Sequence, residues 1–242
     1  MPHGLIIALQ FLTRLPTPRL ASEEPLARGA LYVPLVGLLL GALLALAVWT
    51  GSQIGPWIGA LAGLILWIWA TGGIHLDGLG DVADALAAAH KRPERFREVL
   101  ADPHAGSFAV IAIALQIATK LVLLAALAER AGFAALLLVP AWARWGALVW
   151  SWVVPPLKEG LARAFAGGAG GLAIGLWGTA LVGASLWVAP LLASAVLVVA
   201  LGAWYGRRHL PGVNGDCLGA GVEVSESLLL VILLLQAQLK AA

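Results

Sequence analysis

Charge is what this chain has least of: 12% of its 242 residues are Asp, Glu, Lys or Arg, against about 25% in soluble domains. Cysteine occurs once, as Cys217, which excludes an intramolecular disulfide and a thiolate metal cluster. No stretch is low in complexity or repeated, so the 242 residues are read as a single domain, 1–242. The opening MPHGLIIALQFLTRLP has too short an apolar run and no small-residue cleavage site for a secretory signal, and reads as a short amphipathic entry segment. The net charge is +2 and the pI about 9.0. That basic excess comes from loop arginines, which orient a membrane protein and call for no nucleic-acid partner.

Apolar residues dominate instead, at 61% with a mean hydropathy of +0.92. Several uncharged stretches approach or exceed the ~20 residues that cross a hydrocarbon layer as a helix. The chain is therefore expected to be an all-α, polytopic bundle in a lipid bilayer. Spans are predicted near 31–49, 56–74, 106–128, 133–154 and 218–238, with two more between Arg163 and Arg207 hinged around Trp187–Pro190, about seven in all. With 75–105 taken as a loop on the inner side, Arg14, Arg19, Arg28, Lys91, Arg92, Arg95, Arg97, Lys158, Arg163, Arg207 and Arg208 all fall there, 11 of the 15 basic residues. Arg130 and Lys240 fall on the other side, and Lys120 and Arg144 within spans, the bias that positive-inside orientation predicts. Trp49, Trp57, Trp67, Trp69, Trp150, Trp152 and Trp204 are expected in interfacial belts.

Against this background GGIHLDGLGDVADAL, residues 72–86, is anomalous. Asp77, Asp81 and Asp84 are spaced i, i+4, i+7, which places three carboxylates within about 60° of a helix surface. Like charges at this spacing repel, and a cation between them removes the conflict. The alternative is that Asp77 caps a helix whose first turn favours acids, which leaves Asp84 unexplained. An oxygen-only donor set suits Mg²⁺ or Mn²⁺, and Mg²⁺ commonly accompanies phosphates. Gly72, Gly73, Gly78 and Gly80 would then allow a bulky diphosphate to approach the backbone. A second acidic group, in GVNGDCLGAGVEVSE, supplies Asp216, Glu223 and Glu226. Acids at membrane depth are functional candidates, and their bland explanation is pairing with Lys120 or Arg144. Arg207 and Arg208 adjoin Asp216 and are candidates for gripping phosphate, while His75 and His104 flank the first acidic stretch as candidate proton carriers.

The stretch GGIHLDGLGDVADAL closely resembles the "G-hydrophobic-HLDGLADTADG" signature of the cobalamin synthase family, the adenosylcobinamide-GDP ribazoletransferases. FLTRLPTP, ADPHAGSFAV and NGDCLGAGVEVSE resemble further family motifs in the same order. The resemblance implies a polytopic inner-membrane enzyme with its active site at the cytoplasmic face. Its substrates would be adenosylcobinamide-GDP and α-ribazole or its 5′-phosphate, its products GMP and adenosylcobalamin or its phosphate, and its cofactor Mg²⁺. Carried over by residue, Asp77, Asp81 and Asp84 match the family's aspartates, Asp102 and Gly106 its DSRIG segment, and Asp216, Glu223 and Glu226 its last acidic segment; Asp77, Asp81, Asp84 and Asp216 stand as metal-ligand candidates. Asp81, Glu226 and His75 stand as catalytic candidates, and Asp102, His104, Asn214, Glu223, Arg207 and Arg208 as substrate-binding ones. His104 falls in a segment where the family carries an arginine, and Asn214 where it carries threonine. Homo-oligomers, or association with other cobalamin-assembly enzymes, are compatible with the sequence. Two rival readings are a CDP-alcohol phosphotransferase, whose arginine after the Asp-Gly pair is missing here, and a secondary transporter using Lys120, Arg144, Glu223 and Glu226 as an ion path.

Overall fold

A computed structural model describes residues 3–18, 26–90, 92–130, 133–157 and 160–241. Arg19, Lys91 and Lys158 lie outside the described residues. A short helix α1 (His3–Leu12) and a 3-10 segment (Leu26–Tyr32) lead into α2 (Val33–Ser52) and α3 (Pro56–Thr71). These are followed by α4 (Ile74–Ala89), α5 (Arg95–Val99), α6 (Ser107–Ala128), α7 (Phe133–Leu136) and α8 (Val139–Val153). The chain closes with α9 (Leu161–Gly168), α10 (Gly171–Val188), α11 (Ala195–His209) and α12 (Gly215–Ala241). Among the described residues there is no strand, only an isolated bridge between Pro156 and Val213.

Six helical segments are long and apolar enough to cross a membrane, and α3 with α4 makes a bent pair that counts as a seventh if it is one span. This is a multi-pass membrane protein. Proline starts α2, α3 and α8 at the first or second position, where its missing N–H costs no helical bond. The interhelical contacts use small residues in place of a hydrophobic drive, as lipid-embedded helices do. Gly51 of α2 meets Gly59 of α3, and Gly37 of α2 meets the backbone at Pro140 and Ala141 of α8, where any Cβ would overlap its neighbour.

Two expectations need correction. Residues 75–105 are not simply a loop: they hold α4 and α5, with α4 turned 83° from α3. The tryptophans also divide into two groups. Trp49, Trp57, Trp69, Trp152 and Trp204 are exposed, but Trp67 and Trp150 are buried in the bundle. Trp142, Trp145 and Trp150 each bond their indole N–H internally, to Ser185, the Ile174 carbonyl and the Val199 carbonyl. A ring with a satisfied N–H packs as well in a core as at an interface.

The α3 end, the α6 start and the α12 start lie at one end of the bundle. There the Arg14 N–H donates to the Ala70 carbonyl at 2.7 Å, and Gly106 before α6 donates to Asp84 at 2.6 Å. The bridge beside Val213 ties the α11–α12 connection to the end of α8. Arg207 and Arg208 share this end in the last turn of α11.

Candidate functional site

The acidic helix is aimed by two glycines. Gly72 (φ +67°) and Gly73 (φ +74°) are both left-handed. The Gly73 N–H reaches back to the Ile68 carbonyl and that of Gly72 to the Trp69 carbonyl, each at 3.1 Å, the paired bonds that close a helix with a left-handed cap. The chain then restarts as α4. The Arg14 side chain lies across Gly72, where a Cβ would collide with its Nε.

Three further glycines bring α4 against its neighbours. A Cβ on Gly78 would sit 2.8 Å from the Asp216 carbonyl oxygen, and one on Gly219 of α12 would be 3.2 Å from the His75 Cα. On the other side, Gly80 packs on Ala109 and Ile113 of α6. At about 100° per residue the arc carrying Asp77, Asp81 and Asp84 falls between these two contact lines, facing the seam between α6 and α12. Gly72, Gly73, Gly78 and Gly80 are thus accounted for by the helix break and by helix packing, and not by room for a diphosphate.

Asp216 arrives at the same place from the start of α12. Asn214 precedes that helix, accepts the Cys217 N–H on its side-chain oxygen at 3.0 Å and donates its amide to the Asp216 carboxylate at 2.6 Å. It is therefore an N-cap that also orients the acid. Asp77, Asp84 and Asp216 all lie within electrostatic reach of Asp81. Asp77 is exposed, and the other three are half-buried.

Below them the seam is closed by a second set of charges. Lys120 of α6 bonds Glu223 and Glu226 of α12 at 2.6 Å each, and Arg144 of α8 bonds the other Glu226 oxygen at 2.7 Å. Gln116 donates to the Glu223 carboxylate at 2.8 Å and to its carbonyl at 2.7 Å, and accepts from Ser227. Lys120 also lies 4.3 Å over the Trp67 ring. Glu223 is seven residues beyond Asp216, about 10 Å along the helix. The glutamates therefore pair with Lys120 and Arg144. His75 is buried beside this cluster, within electrostatic reach of Arg144, Glu226 and Lys120.

A model of the family described as cobalamin-5-phosphate synthase matches residues 4–234. The chain belongs to that family. A Novosphingobium aromaticivorans protein named adenosylcobinamide-GDP ribazoletransferase is 48% identical over 234 residues, 95% of this chain and 95% of its own. Proteins of the same name from Thiobacillus denitrificans and Laribacter hongkongensis are also 48% identical, covering 95% and 99% of this chain and 94% and 100% of theirs. No solved structure matches the chain. Membership in the cobalamin-5-phosphate synthase family sets aside the phosphotransferase and transporter alternatives.

Other residues singled out from the sequence lie apart from the carboxylates. Asp102 and His104 are exposed on the loop before α6, where Asp102 accepts both the His104 backbone N–H at 3.0 Å and its Nδ1 at 2.8 Å. Those bonds hold the Asp102 carboxyl below its usual range. Arg207 lines a cavity of about 560 Å³ with Trp152, Pro155, Leu210 and Gly212 at the α8–α11 end, and no contact joins it to the aspartates among the described residues. Gln116 escaped notice in the sequence. Its signal was a polar residue one turn before Lys120 in an otherwise apolar span.

A divalent ion can be tested against these donors. All four acidic groups offer oxygen, which suits a hard cation. Among the described residues no three such side chains converge closely enough, as they stand, to enclose one. Asp77 and Asp81 make no ion pair among the described residues, so their oxygens are available. The donor chemistry fits, with side-chain rotation needed to close the shell.

Proposed function

We propose that this chain is an adenosylcobinamide-GDP ribazoletransferase, working at the cytoplasmic face of the inner membrane with Mg²⁺. Support comes from the family, from relatives of that name along nearly the full length, and above all from one observation. Asp216, 132 residues beyond Asp84 in sequence, is packed through Gly78 against the helix bearing Asp77 and Asp81. Sequence-distant carboxylates gathered at the basic end of a membrane bundle are what a diphosphate-handling site requires.

In the proposed reaction a hydroxyl oxygen of α-ribazole, or of its 5′-phosphate, attacks the cobinamide-bearing phosphorus of the GDP-activated substrate. The new P–O bond forms as the bond to GMP breaks, and GMP leaves with the electron pair. Such a transfer asks the protein to align the partners and offset charge more than to form covalent bonds. Asp77, Asp81 and Asp216 would hold Mg²⁺. When bound, this ion would offset the charge developing on the diphosphate oxygens. Asn214 steers Asp216 into that role, and the Gly72–Gly73 turn aims Asp77 and Asp81. Glu226 has both oxygens on cations and no exposed surface. The proton of the attacking hydroxyl is therefore assigned to Asp81, and Glu223 and Glu226 hold the floor, with His75 packed beside them. Arg207 and Arg208 would hold a substrate phosphate at the rim, and Asp102 and His104 would act from the loop before α6.

The test is Asp81→Asn in purified, bilayer-reconstituted protein. GMP release should be lost while insertion and melting stay normal. Turnover retained with a normal Mg²⁺ requirement would refute the assignment.

A further inference from the structure

Asp84 is grouped with Asp77 and Asp81 by spacing, yet its carboxylate is committed elsewhere. One oxygen accepts the Gly106 N–H at 2.6 Å and the other the Ala109 N–H at 3.1 Å. These are the N-cap residue and the third residue of α6. In a capping box the same two backbone groups are satisfied by two side chains of the helix itself, a Ser or Thr at the N-cap and a Glu three residues on. Here Gly106 and Ala109 can supply neither, and one carboxylate from another helix does both jobs, its negative charge resting on the positive end of the α6 dipole.

The identity of residue 106 follows from this. Gly106 has φ −89° and ψ −177°, an extended conformation open to any residue, so its backbone does not demand glycine. Space does: a Cβ there would lie 2.7 Å from Asp84 Oδ1 and 2.9 Å from its Cγ. Asp84 and Gly106 form a lock between α4 and the start of α6, directly after the loop holding Asp102 and His104.

We propose that Asp84 is the cap of α6 and a positioning residue for the acidic seam, and that the ion-holding set is Asp77, Asp81 and Asp216 without it. This rests on the reading of the seam as a divalent-ion site. It accounts for an acid two turns into α4 whose two oxygens are both bonded, whereas Asp77 and Asp81 make no ion pair among the described residues. Asp84 sets the spacing between α4 and α6, and with it the width of the seam in which the other three carboxylates meet.

The experiment compares Asp84→Asn, Gly106→Ala and Asp81→Asn in full-length protein in nanodiscs, with two readouts: Mn²⁺ binding by electron paramagnetic resonance and amide hydrogen exchange at residues 106–109. Asp84→Asn and Gly106→Ala should each speed exchange about five- to tenfold, the effect of a lost cap, and weaken Mn²⁺ to the same degree as each other but less than Asp81→Asn does, since both loosen the seam and neither removes a ligand. Asp81→Asn should instead weaken Mn²⁺ at least about tenfold, as loss of even an outer-shell partner can, with exchange unchanged. Gly106→Ala keeps every carboxylate, so the lock is tested even where Asp84→Asn folds poorly. The proposal is overturned if exchange at residues 106–109 does not respond to either variant, or if Asp84→Asn weakens Mn²⁺ as much as Asp81→Asn while Gly106→Ala does not. If Asp81→Asn leaves Mn²⁺ binding intact, it is the ion reading of the seam that fails, and the exchange arm still decides whether Asp84 is the cap.

Discussion

Replacing Lys120 by Met tests the floor of the seam most severely. The exchange is close in volume and leaves the Trp67 contact apolar, so the main change is one positive charge removed. Arg144 keeps its bond to Glu226, but Glu223 is left with Gln116 as its only side-chain partner among the described residues, and both glutamates are buried. Two limits bound the cost. An ionised carboxylate held at membrane depth costs about 2.5–3.5 kcal/mol on insertion scales. Protonating it instead, from an ordinary value near 4.3 to neutrality at pH 7, costs about 4 kcal/mol. Breaking a buried pair by removing one partner gives a similar figure, about 3–5 kcal/mol. An uncharged hydrogen bond between membrane helices averages only about 0.6 kcal/mol, so the charge decides the outcome. Lys120→Met should therefore destabilise by about 3 kcal/mol, roughly a hundredfold in the unfolding equilibrium. Lys120→Met combined with Glu223→Gln should recover most of that, because the cluster is neutral again and the Gln116 contact survives. Steric-trapping measurements in bicelles would give the numbers. A single variant costing under about 1 kcal/mol, or a double variant no better than the single, would show that the pair is not balanced in the way the geometry implies.

Three other outcomes follow. Gly78→Leu leaves every carboxylate in place but forces α4 off Asp216, because a Cβ at residue 78 would lie 2.8 Å from the Asp216 carbonyl oxygen. GMP release should fall at least about a hundredfold, as for a misplacement of about 1 Å, and normal turnover would show that the Gly78 contact does not set the site. Arg207→Ala should raise the KM for a phosphorylated acceptor without changing the Mg²⁺ requirement, checked by initial rates at varied acceptor. The Asp102 carboxyl, held low by the His104 backbone N–H and then by its side chain, should titrate below the usual range in a carbon-detected NMR experiment. Its tie to His104 is complete above the ordinary aspartate value and lost as pH falls through the lowered one, and His104→Gly should move the titration only part of the way back toward the ordinary value, because the backbone N–H of residue 104, the larger cause, remains.

Much of this was legible from composition and spacing, because lipid imposes a simple rule. Span limits at 107–128 and 133–153 match the sequence-derived ones within a residue, since an apolar run bounded by Gly, Pro or charge has few ways to be read. The hinge near Pro190 was equally plain. The 83° turn at Gly72–Gly73 was not, because a Gly-Gly pair inside an apolar run reads as tolerated flexibility until its left-handed angles are seen. Asp77, Asp81 and Asp84 were correctly placed on one arc, but periodicity along α4 says nothing about which oxygen faces which neighbour. Asp84's partners lie 22 and 25 residues on, a distance no helical period reports. For Glu223 and Glu226 the sequence favours a role at the site and offers pairing with Lys120 or Arg144, the two cations at their depth, only as the alternative, and Gln116 is hard to single out because one amide in a span carries little charge signal.

The two acidic groups on α12 serve opposite ends of one electrostatic problem. Glu223 and Glu226 are matched by Lys120 and Arg144, so the interior cluster is neutral in sum and adds no net charge to the seam. A cluster of that kind fixes α6, α8 and α12 in one register, because any slip of about 1.5 Å per residue separates charges that the bilayer cannot solvate. Asp77, Asp81 and Asp216, at the wet end, have no basic partner among the described residues. If the lower cations were meant to balance the upper acids they would lie within the same turn, and they lie about 10 Å further along the helix. The charge at the mouth thus has no basic partner among the described residues, and a divalent ion arriving with a diphosphate would meet a register already set from below.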